Sequence, residues 1–93
     1  MDFFTQIAIR IIEEQTVIIG PIAWSEAQQV EGLEVDIAEK KVAFRTQDKQ
    51  QAIEKLVRRY EKLFGRASLE VSRDAVKDLL RDTPQDQIPT PLR

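Results

Sequence analysis

Neither cysteine nor histidine occurs anywhere in this 93-residue sequence. The first absence excludes a disulfide framework and every thiolate metal site. The second removes the commonest general acid/base near neutral pH and the commonest zinc ligand. Without either residue, no Ser-His-Asp or Cys-His constellation can be assembled. The three glycines, at positions 20, 32 and 65, lie too far apart to form a phosphate-cradling loop. Long apolar runs are missing as well. The longest, Val17 to Trp24, is interrupted by Gly20-Pro21 and falls short of the roughly 20 residues a membrane span needs. Met1-Asp2-Phe3-Phe4 lacks the basic start of a signal peptide. These absences together predict a soluble, cytoplasmic, non-enzymatic chain that needs no cofactor and no metal.

What is present is charge, unevenly spread. Residues 1–32 carry five acids and one base, whereas residues 49–81 carry nine bases and five acids. Such asymmetry fits either an anionic partner or two halves that attract each other, and the second reading is preferred.

Apolar periodicity sets the elements. Phe4, Ile7, Ala8 and Ile11 recur at helical spacing over residues 3–15, with Phe3, Ile9 and Ile12 widening the stripe beyond half the circumference. A helix so apolar is usually covered on two sides. After Gly20-Pro21 a second helix is expected to about Val30, with Gly32 as its stop. Leu33, Val35 and Ile37 then alternate with acids, and Val42 and Phe44 alternate again, as in a β-hairpin with one wet face. Asp48 reads as the cap of a third helix whose apolar positions run from Ala52 to Phe64, ending at Gly65. A fourth is expected from a Ser68 cap, with Leu69, Val76, Leu79 and Leu80 inward; a short strand over 67–71 is the competing reading.

An offset of 45 residues ties these pieces together. Ile11-Ile12, Ile18-Ile19-Gly20 and Trp24 fall onto Leu56-Val57, Leu63-Phe64-Gly65 and Leu69. The predicted fold is therefore α+β: four helices in two helical hairpins, suggesting an internal repeat, joined by a two-stranded β-hairpin. Residues 1–81 form one small domain. Residues 82–93 hold prolines 84, 89 and 91 without periodicity and are expected to be a flexible tail.

Two surfaces stand out as candidates. Phe3, Phe4, Ile7, Ile9 and Ile11, with Trp24 as an aromatic anchor, would form an apolar interface. Lys55, Arg58, Arg59, Lys62 and Arg66 would present a basic stripe to an anionic partner. No aromatic base-reader is interleaved with those bases, which argues against nucleic acid. Asp74, Asp78, Asp82 and Asp86 recur every four residues, but Lys77 and Arg81 neighbour them and Pro84 breaks the helix, so an ion-paired face is expected there and not a cation site. The expectation is a non-catalytic protein–protein interaction module that forms a homodimer, contacting another protein through its basic face. The alternative is a binder of nucleic acid or an acidic membrane surface through the third helix.

Overall fold

The computed structural model describes residues 2–93, in the order α1 (Phe3–Ile19), α2 (Ile22–Gln28), β1 (Leu33–Asp36), β2 (Lys41–Phe44), α3 (Lys49–Phe64) and α4 (Arg66–Leu80). Two 3-10 turns follow, Gln85–Gln87 and Thr90–Leu92. Four helices and one antiparallel hairpin make a small α+β domain.

Capping fixes where the long helices start. The Asp2 carboxylate accepts the Thr5 backbone N–H at 2.9 Å, and Asp48 accepts that of Gln51 at 3.0 Å, each satisfying an orphan donor of a first turn. That backbone bond is the main reason the Asp2 carboxyl is held below its ordinary range, helped by the Thr5 hydroxyl and Lys49. Helix α1 runs four residues beyond the expected 3–15, because nothing in Thr16-Val17-Ile18-Ile19 breaks a helix before Gly20. Helix α4 is continuous across 67–71, so the strand alternative is wrong there. Ser68 does not cap it; Gly65 is the capping residue, and Ser68 is buried inside the first turn.

Helix α1 is the centre of the packing. It touches α2, α3, α4 and β2, so Ile7, Ala8, Ile11 and Ile12 are fully buried. The breadth of its apolar arc is thus satisfied within one chain. Each of the three isoleucines taken from water contributes on the order of 1.5–3 kcal/mol. The β-hairpin pairs Leu33 with Phe44 and Val35 with Val42, and buries Leu33, Val35 and Val42 against the helices while Glu34, Asp36 and Ala43 face out. A lone hairpin is marginal in water, and here α1 and α2 support it.

The C-terminal segment departs from the flexible tail expected of it. Ile88, Pro89, Pro91 and Leu92 are buried, and the second 3-10 turn sits on α3 and α4. Arg73 Nε donates to Pro91 O at 2.9 Å and Gln50 Nε2 to Asp86 O at 3.3 Å. Short turns with single extended residues between them bury Ile88, Pro89, Pro91 and Leu92 without any helical or strand period, so periodicity gives no sign of the packing. Prolines also lower the entropy lost on docking.

Candidate interaction surface

The two helical corners are built alike. Gly20 ends α1 at φ 83° and ψ −168°, and Gly65 ends α3 at φ 88° and ψ −176°. Both lie in a region essentially closed to side chains. The Gly20 N–H donates to Thr16 O at 2.9 Å, and the Gly65 N–H to Glu61 O at 2.8 Å. On the far side of the bend, Ala23 N–H donates to Gly20 O and Ser68 N–H to Gly65 O, both at 3.1 Å.

Buried polar ties then cross from one helix pair to the other. Gln15 Nε2 donates to Ser68 O at 2.8 Å and to Ser72 Oγ at 3.0 Å, while Ser68 Oγ donates back to Gln15 Oε1 at 2.9 Å. The Tyr60 hydroxyl donates to Ala23 O at 2.6 Å. Burial, joined by the Glu26 charge and opposed by Arg59, raises the Tyr60 ionisation far above the ordinary tyrosine range. The phenol is therefore a neutral donor at every physiological pH. No buried side-chain polar atom among the described residues lacks a partner.

These ties bring both corners to one end of the molecule. Gln15 lies against Ser68 and Arg10 against Ala75 and Asp78, so α1 and α4 run antiparallel and the end of α1 meets the start of α4. Tyr60–Ala23 and Arg59–Glu26 likewise join the end of α3 to the start of α2. At this end the apolar side chains overrun the core. Val17 is 80 % exposed, Ile18 62 %, Leu63 48 %, Ile22 45 % and Phe64 37 %. The overrun follows from helical phase. Ile18 lies seven residues beyond the fully buried Ile11, Leu63 seven beyond Leu56, and Phe64 seven beyond Val57. Each stripe continues one turn past the last residue that covers it. Ile18 and Val17 also border a groove of about 390 Å³ between α1 and α4, with Val71 on its far wall and Glu14, Asp74 and Asp78 along it.

The residues predicted from sequence are placed differently. Ile7 and Ile11 are fully buried and Trp24 is 3 % exposed, so these three belong to the core and offer no surface. Trp24 lies under Lys40, whose Nζ sits 5.0 Å from the ring centre. Phe3, Phe4 and Ile9 are half-buried and pack on the core, with the two phenylalanines edge to face. On the basic stripe, Arg59 reaches Glu26 Oε1 through Nη2 at 2.7 Å and Nε at 2.8 Å. Lys55 pairs with Glu31 at 3.2 Å and Arg58 with Glu61 at 2.9 Å. Only Lys62 and Arg66 of the five make no ion pair among the described residues, and both are exposed at the corner end. The charge asymmetry between the halves is thus partly spent inside the chain. In the aspartate ladder, Asp78 pairs with Arg10 of α1, and no cluster of metal-ligating type forms among the described residues.

The sequence pattern puts Ile22, Leu63 and Phe64 on inward faces and gives Val17 and Ile18 no surface role, whereas all five are exposed. The signal lies in the length of the two stripes, each running about one turn past its last fully buried residue, Gln15 on α1 and Tyr60 on α3. No helix among the described residues is long and apolar enough to cross a membrane. No family model matches the chain, and neither a curated protein nor a solved structure is similar to it.

Proposed function

We propose that the chain is a non-catalytic protein–protein interaction module that self-associates through the corner end. The observation that carries this reading is the presence of Val17, Ile18, Ile22, Leu63 and Phe64 at one end of the molecule, while the other large apolar side chains among the described residues are buried or half-buried. Contiguous exposed apolar surface on a small domain marks a site of association. The face replaces the seam expected from Phe3, Phe4 and Ile9, which are already engaged with the core.

The repeat belongs to the same proposal. At an offset of 45, Gln15 corresponds to Tyr60 and Ser68 to Ala23, so the tie from Gln15 to Ser68 O has its reciprocal in the tie from Tyr60 to Ala23 O. A pair of related units packed about an approximate twofold axis would give that reciprocity. The anionic-surface alternative has less behind it, because Lys55, Arg58 and Arg59 are each engaged by a glutamate of the same chain.

Sedimentation equilibrium over a wide concentration range tests the proposal. The wild-type mass should rise with concentration, and Ile18→Asp and Leu63→Asp should each hold it at the monomer value. A wild type that stays monomeric throughout, or association that both variants preserve, would overturn the reading.

A further inference from the structure

Resting on that reading, we infer that two copies meet about a twofold axis, the Glu13–Glu14 side of one corner end facing the Lys62–Arg66 side of the other. The corner end is bipolar. On α1, Glu13 and Glu14 sit one turn before Val17 and Ile18, on the same exposed surface. On the other side, Lys62 and Arg66 flank Leu63 and Phe64. None of the four charges has an ion-pair partner among the described residues, although most acids and bases around them do. The acids thus belong to the α1–α2 corner and the bases to the α3–α4 corner, with exposed apolar side chains on both.

An isologous interface must be complementary to itself. A rim of one sign would repel a copy of itself across a twofold axis. Here rotation about an axis through the apolar centre carries acid onto base at both edges while the apolar centres meet. An acidic protein or an anionic lipid surface approaching the same end would be attracted by one edge and repelled by the other. A second copy satisfies both edges at once. In this arrangement the apolar residues hold the association and the charges orient it.

Two charge-reversed proteins test the arrangement: Glu13→Lys/Glu14→Lys, and Lys62→Glu/Arg66→Glu. All four positions are exposed, so circular dichroism should show both variants folded. At low salt each alone should associate at least about tenfold more weakly than wild type. An equimolar mixture should recover the wild-type dimer mass, because every edge then faces its opposite. Variants that associate as well as wild type overturn the charge pairing while leaving self-association through the apolar end standing. Variants that weaken but are not restored by mixing overturn the twofold arrangement. A wild type with no self-association at any concentration overturns the pairing and the interaction reading beneath it.

Discussion

The corner joining α1 to α2 and the corner joining α3 to α4 share a backbone and differ in almost everything attached to it. Gly20 and Gly65 adopt the same conformation within a few degrees of φ and ψ. Yet one corner is tied across the core by an amide and two serine hydroxyls, the other by a phenol. Outside, Glu13 and Glu14 near one corner and Lys62 and Arg66 near the other make no ion pair among the described residues. The bend tolerates little variation because only glycine reaches its conformation. The cross-tie needs only a buried donor of suitable length. The surface beyond is free to diverge, and its opposite charges are what the proposed self-association requires.

Truncating the larger tie should disturb this comparison most. Tyr60→Ala removes a fully buried ring and should cost about 3–5 kcal/mol of unfolding free energy in a urea titration. Gln15→Leu keeps the volume but removes three buried bonds, leaving the Ser68 hydroxyl without its acceptor and the Ser72 hydroxyl without its donor, for a loss of about 2–4 kcal/mol. The corners themselves should respond alike: Gly20→Ala and Gly65→Ala should each cost about 1–3 kcal/mol from backbone strain. A new Cβ would meet nothing within 4 Å at either site, so steric differences cannot separate them. Unequal losses would mean that the two bends are not equivalent in energy. The mildest change, Tyr60→Phe, should cost about 1 kcal/mol at pH 7.

That last variant also isolates a pH effect. Tyr60 is the only tyrosine, and its folded-state ionisation lies above the ordinary value of 10.0 because burial disfavours the phenolate. An unfolded chain gives up this proton first as pH rises. Its contribution to stability is therefore complete below about pH 10.0 and declines above it. Urea titrations at pH 8 and pH 11 should show a larger alkaline loss for wild type than for Tyr60→Phe. Equal losses in the two proteins would remove Tyr60 from the account of alkaline stability.

Much of the fold was legible because helical and strand periods leave a mark in the residue pattern. Asp48, Gly20 and Gly65 marked ends that backbone chemistry enforces, and Leu33, Val35 and Val42 marked the inward face of the hairpin. The packed C-terminal segment was not legible, because Ile88, Pro89, Pro91 and Leu92 are buried along short 3-10 turns and single extended residues that set up no period. The surface was harder still. Periodicity identifies which side of a helix is apolar but not how far along it the cover extends. Ile11 and Ile18 share a phase, yet one is wholly buried and the other mostly bare. Partner choice among charges was equally hidden, since Arg59 and Glu26 are far apart in sequence and meet only through the corner packing.

The central claim is that the corner end is the surface on which this protein associates. A dilution series of amide nitrogen–proton spectra tests it most directly, reporting every backbone position at once. Concentration-dependent shifts should gather at residues 13–22 and 62–67, leaving residues 3–9 and the outer edge of β2 unmoved. Shifts that gather instead at Phe3, Phe4 and Ile9 or along β2, or spectra that do not change with concentration, would contradict the account.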